Sequence, residues 1–206
     1  MNAISKPSDV RRDHILAVAR QVFLEEGYAA ASMSAIAARV GGSKGTLYNY
    51  FRSKAELFDA VIREDCERMQ DSLSEAGGSA DDLETTLLRL GQAFVRLMLS
   101  DEVLAIHRIV VSESGRFPEI GEIHFQAGPR RGKEQLAALF EMATAEGQLK
   151  VVNHGRAADQ LCELMLAGIY RRRLFNIGPP PTEAEIDANV EAGLAVFMAA
   201  YGTKPR

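Results

Sequence analysis

Seven consecutive residues, Lys44-Gly45-Thr46-Leu47-Tyr48-Asn49-Tyr50, concentrate the chemistry of this chain. One ammonium, one hydroxyl, one amide and two phenols share a segment with a single aliphatic anchor. This set of groups suits phosphate oxygens and base edges. Lys44, Tyr48 and Tyr50 have the chemistry of phosphate contacts. Thr46 and Asn49 have the chemistry of base contacts, through a methyl group and an amide. Gly45 leaves room for a helix to approach a duplex closely. Leu47 and Phe51, one turn apart, point the opposite way, into a core.

Positioning such a helix requires a second one. Met33, Ile36, Ala37 and Val40 recur at the i, i+3, i+4, i+7 spacing of one buried helix face. Ser32 precedes that stripe and can cap its free amides, and Gly41-Gly42 ends it. Ser43 is placed to cap the helix that follows. Two short helices joined by a glycine turn are the outline of a helix-turn-helix, in which the second helix enters the major groove and the first crosses the backbone. Ser32 and Ser34 open the first helix of the pair, where hydroxyls and amides can meet phosphate. Lys54, at the start of the next helix, is expected to contact phosphate too.

The run GGSKGTLYNYFRSKAELF resembles the recognition helix and following segment of the TetR family of bacterial transcriptional regulators, and GYAAASMSAIAARV is similar to the same family's preceding half. Gly42 departs from the resemblance, since a branched apolar residue is commoner there, and it implies a looser turn. HRIVVSESGRFPEI, FQAGP, PPPTEAEI and AVFMAAYG are similar, more loosely, to the AefR-like subgroup.

Charge agrees with a divided chain. The net charge of -4 splits between a basic start and an acidic remainder. Met1 to Phe58 holds eight basic residues against five acidic ones, or +3, leaving -7 elsewhere. Only the N-terminal part is therefore suited to a polyanion. At 206 residues, 47% hydrophobic and 25% charged, the chain is long enough for a substantial core. Alanine and leucine abound and strand-like alternation is absent, so the chain is expected to be all-α.

Start and stop signals predict about nine helices. Ser8 or Asp9 caps a first helix carrying Ile15, Ala19, Val22 and Phe23, which Gly27 terminates. Arg11 and Arg12 near its start either reach a phosphate or form a solvated helix end. Ser53 with Glu56 reads as a capping box opening a long fourth helix with Phe58, Ile62, Cys66, Met69 and Leu73 on one stripe. Gly77-Gly78-Ser79 reads as a linker. Pro118 fits the first turn of a helix, and Gly128-Pro129 either kinks that helix or restarts it. Thr182 with Glu185 forms another capping box. Gly168 and Gly193, on the stripes of the last two helices, would allow close helix approach. The boundary is placed between a helix-turn-helix domain, residues 1–54, and a helical regulatory domain, residues 55–206.

The resemblance implies a homodimer joined through the last two helices, a double-stranded DNA operator, and a small-molecule inducer bound in a largely apolar pocket inside the second domain. The inward residues of such a pocket are Met69, Phe94, Met98, His107, Val110, Phe117, Phe125, Cys162 and Met165, with His107 and His124 as polar members. The expected function is a ligand-responsive repressor. Two alternatives are a redox regulator acting through Cys66 or Cys162, and a helical ligand-binding protein without DNA activity.

Other chemistry finds little support. GGSKGT lacks the spacing and preceding strand of a nucleotide loop. Four histidines show no metal-ligand spacing, and no serine occupies a nucleophile elbow. No cofactor, metal or enzymatic activity is expected. MNAISKPSDVRRD lacks the apolar centre of a signal peptide, and no run approaches the ~18 apolar residues of a membrane span. The expected location is the cytoplasm.

Overall fold

The computed structural model describes residues 7–77 and 82–203, with side chains described over 9–68 and 82–203. The Ser8 cap, the side chains of Met69 and Leu73, and Gly78-Ser79 lie outside the described residues. The described residues form eleven helices, in order: α1 (Pro7–Ala30), α2 (Met33–Val40), α3 (Lys44–Tyr50), α4 (Lys54–Gly77), α5 (Leu83–Met98), α6 (Asp101–Glu113), α7 (Pro118–Ala127), α8 (Pro129–Ala145), α9 (His154–Leu166), α10 (Ile169–Leu174) and α11 (Glu183–Tyr201). No strand occurs among the described residues; one isolated antiparallel bridge joins Leu149 and Gly202.

Eleven rather than nine helices arise at two places. Gly128-Pro129 restarts the chain as α8 rather than bending one helix. Gly168, expected at a close helix contact, instead adopts φ +82° and separates α9 from α10. Nothing lies within 4 Å of where its Cβ would be. Its role is conformational, because other residues reach that backbone region only with strain.

The chain packs as two units. The first comprises residues 1–66 and 105–128, the second residues 67–104 and 129–206. α4 runs from one into the other, and residues 55–66 and 105–128 pack with the N-terminal helices. In the first unit, Met33, Ile36, Ala37 and Val40 are all buried, as the periodicity requires. They join Ile15, Val22, Phe23, Leu47, Phe51 and Phe58 in one core. Phe58 meets the rings of Phe23 and Tyr28 edge-on, each at 5.1 Å. Burying a side chain of this size contributes about 1.5–3 kcal/mol.

The second unit is built around α5, α8, α9 and α11, with Phe140 and Phe197 stacked 5.0 Å apart at its centre. Thr182 and Glu185 form the expected capping box of α11. At Gly193 the α9 and α11 backbones nearly touch: an added Cβ would lie 2.9 Å from Leu164 C and Met165 N. No helix among the described residues is long and apolar enough to cross a membrane.

Candidate nucleic-acid interface

α2 ends in Gly41, whose left-handed backbone lets its N–H return to the Ala37 and Ala38 carbonyls. Ser32 Oγ accepts from the Ala35 N–H at 3.1 Å, and Ser43 Oγ accepts from the Thr46 N–H at 3.1 Å. These caps fix where α2 and α3 begin. Leu47 and Phe51 then anchor α3 in the core, at 2% and 3% exposure. The other side of α3 faces outward, with Lys44, Gly45, Tyr48 and Asn49 exposed.

The side chains on that face differ in freedom. Lys44 Nζ lies 5.8 Å from the Tyr48 ring centroid, so charge and phenol act as one patch. Thr46 is half-buried and its hydroxyl is bonded to Ser43 Oγ at 2.9 Å, leaving its methyl group for apolar contact. Tyr50 is half-buried against the core. Ser34 is exposed, as is Ser32.

Lys54 does not point outward as a phosphate contact should. Its ammonium donates to three backbone carbonyls, those of Tyr28 (2.6 Å), Ala31 (2.9 Å) and Ala29 (3.3 Å). It also sits over the Tyr28 ring at 4.4 Å. Burial lowers its pKa, against the opposing pull of Glu113 and Glu119. In this arrangement all three of its donors are directed inward, and Lys54 acts as an internal clamp.

The clamp has a second jaw. α1 breaks at Gly27 (φ +78°, ψ +171°), and Glu113 at the end of α6 accepts from the N–H groups of Tyr28 (2.8 Å) and Ala29. The φ of +78° favours glycine, and a Cβ on Gly27, 2.6 Å from Glu113 Oε1, would displace that carboxylate from its present position. Phe117 packs edge-on against Tyr28 at 5.2 Å. Burial and Glu119 push the Tyr28 phenol up to about 12. The connection into α2 is thus held by its carbonyls from α4 and by its amides from α6. Glu56, likewise, caps the Arg52 N–H at 2.7 Å, one residue before the expected capping-box partner.

The expected pocket residues divide between the two units. His107, Val110, Phe117 and Phe125 belong to the first, and Phe94, Met98, Cys162 and Met165 to the second. Val110 and Phe117 pack against the first core, and Phe94 against the second. Met98 is half-buried. Phe125 is half-exposed rather than inward. Met165 is a core residue whose thioether fills the space beside Gly91.

His107 and His124 face each other edge to face, centroids 4.8 Å apart. Burial, with His124 adding to it, lowers His107 to about 4, and burial lowers His124 as well. His124 Nδ1 is buried without a hydrogen-bond partner. A His pKa lowered on folding leaves stability whole above about pH 6.5 and removes it as pH falls toward 4. Between pH 7 and pH 5, His107 accounts for about 1–2 kcal/mol of lost stability. Urea unfolding of His107→Gln at both pH values is expected to show a correspondingly smaller loss than the parent chain.

Neither thiol is exposed. Cys66 is buried, and burial followed by Asp159 and Glu163 pushes Cys162 up to about 11. At pH 8 the thiolate fraction of such a group is on the order of 100-fold below that of a free thiol. Aromatic disulfide labelling of the folded chain is expected to be slower by a similar factor.

Residues 15–61 match the bacterial regulatory proteins of the tetR family, and residues 85–203 match the AefR-like transcriptional repressor C-terminal domain. The flavonoid-responsive regulator FrrA has a solved structure that aligns at a TM-score of 0.86 and 31% identity, over 96% of this chain and 100% of that one. The transcriptional activator FasR of Mycolicibacterium smegmatis is 38% identical over 88 residues, 43% of this chain and 40% of FasR. The transcriptional repressor AcnR of Corynebacterium diphtheriae is 40% identical over 68 residues, 33% of this chain and 36% of AcnR. These matches cover less than half of either regulator's length. With a helix-turn-helix followed by a matching helical domain, the chain belongs to the TetR family of transcriptional regulators. Its C-terminal part is of the AefR-like kind.

Proposed function

We propose that this regulator is a repressor that binds a pseudo-palindromic operator in the cytoplasm as a homodimer and is released by a small, largely apolar inducer. The observation that carries the DNA reading is the outward face of α3, where Lys44, Gly45, Tyr48 and Asn49 stand exposed on a helix anchored by Leu47 and Phe51. One short helix reads only a few base pairs, so two copies related by a two-fold axis would read two half-sites. The dimer reading is supported by α9 and α11, whose outer sides with α10 leave an apolar groove of about 580 Å³ lined by Leu164, Ala167, Tyr170, Val196, Ala200 and Tyr201. Val196 is 55% exposed there. A partner's α9 and α11 would cover these residues.

Release is proposed to act through the clamp. An inducer that binds beside α6, near His107, Val110 and the unpartnered His124 Nδ1, would shift α6 and α4 and draw Glu113 and Lys54 away from the connection into α2. Such a ligand lowers operator affinity only by its differential affinity for the two states, typically ~1–3 kcal/mol. The response of FrrA to flavonoids makes a flavonoid panel the first set of probes to use. Fluorescence anisotropy of the promoter DNA upstream of the regulator's own gene tests the proposal. Binding that weakens about 5- to 150-fold with a saturating flavonoid supports it. Promoter binding that no member of a broader aromatic panel alters would leave a regulator without the proposed inducer response.

A further inference from the structure

The cations of the first unit are not equally available to DNA. Arg20 is paired with Asp65, Arg39 with Glu25 and Glu26, and Arg63 with Asp59. Lys54 is committed to three carbonyls. Arg12 lies over the Phe51 ring, 5.6 Å from its centroid. Arg11 makes no ion pair with any described residue and is half-buried. It rests on the turn between α2 and α3, where Nη2 lies 3.0 Å from the position a Cβ would occupy on Gly42. The same position is 3.9 Å from Thr46 Cβ, on the first turn of α3. Gly42 is not in a left-handed conformation, so its value here is space.

Resting on the DNA-binding reading above, we infer that Gly42 seats the Arg11 guanidinium beside α3 as an additional phosphate contact. α1 thereby contributes to the duplex-facing surface alongside Lys44. In a docked helix-turn-helix the turn lies close to the sugar–phosphate backbone that flanks the groove. A guanidinium has a planar fork of donors matched to a phosphate, and one held in place by packing loses less freedom on binding than a free lysine. A branched residue at position 42 would occupy the seat and push the guanidinium out.

The test uses the full chain and a fluorescein-labelled random-sequence duplex, with anisotropy titrations over a range of salt. Arg11→Ala is expected to weaken binding roughly three- to tenfold at low salt. It should also flatten the slope of log K against log salt by about 1 per subunit. Gly42→Val is expected to reproduce both effects, and Arg11→Ala/Gly42→Val to be no weaker than either single variant. Gly42→Ala, which adds only one methyl, serves if the valine variant does not fold. Arg11→Lys should restore most of the slope and less of the affinity. An Arg11→Ala slope equal to that of the parent chain overturns the inference, as does full additivity of the two changes. Absence of any duplex binding by the parent chain would instead remove the DNA reading on which the inference rests.

Discussion

Lys54→Met is expected to destabilise the chain by about 2 kcal/mol while leaving the salt dependence of DNA binding unchanged. The ammonium bridges the carbonyls of Tyr28, Ala29 and Ala31 and lies against an aromatic face. Hydrogen bonds from a charged donor are worth about 1.5–3 kcal/mol each, and water recovers part of that at a half-buried site. A loss of this size lowers the melting midpoint by roughly 4–8 °C in a chain of this length. Affinity for all DNA sequences should fall together, because α2 and α3 are less firmly placed rather than because a phosphate contact is gone. Lys44→Ala should behave in the opposite way, with an unchanged midpoint and a salt slope lower by about 1 per subunit. Calorimetry and anisotropy on the two variants separate these roles. A Lys54→Met chain as stable as the parent, with a flattened salt slope, would return Lys54 to the phosphate-contacting surface.

Gly193→Val is expected to be the more damaging change, costing about 3 kcal/mol or more. Overpacking a core costs about 1–3 kcal/mol when neighbouring side chains can move. Here the atoms in the way are the Leu164 carbonyl group and the Met165 nitrogen, all backbone and within 3.0 Å. Relief requires α9 and α11 to separate, which also unpacks Val190, Leu194 and Phe197 from Leu161 and Met165. Because the same two helices form the proposed subunit contact, sedimentation should show a loss of dimer at concentrations where the parent chain remains paired. Urea unfolding of Gly193→Val at the parent midpoint would argue against so close an approach of α9 and α11.

These cases also mark how far local pattern carries. The α2 stripe, the Ser32 and Ser43 caps, the Thr182–Glu185 box and the close approach at Gly193 were legible, because each depends on neighbours within about two helical turns or on a repeated period. The destination of Lys54 was not. Its partners lie 23 to 26 positions away, and Glu113 reaches amides 84 and 85 positions away. A lysine next to a DNA-reading helix has the same local signature whether it faces phosphate or carbonyl. Gly168 was ambiguous for a similar reason: a glycine on an apolar stripe serves close packing and a left-handed break equally well.

Among the proposed pocket residues, the apolar pattern spoke to burial and not to grouping. It placed Val110 and Met165 together, although each packs in a different unit. It also counted Phe125 as inward, although that ring stands half in solvent. The structural role of Glu113 was missed altogether. The signal available was Gly27, a helix break after which the backbone amides needed a partner from elsewhere.

Selection of fragments from the source genome by the purified full chain shows whether α3 reads DNA as one half of a symmetric pair. A small set of enriched fragments sharing an inverted repeat is expected, with half-sites about one helical turn apart. This enrichment should disappear in a Tyr48→Ala/Asn49→Ala chain that melts at the parent temperature. Fragments without two-fold symmetry, or equal enrichment by the altered α3, would contradict that role of α3.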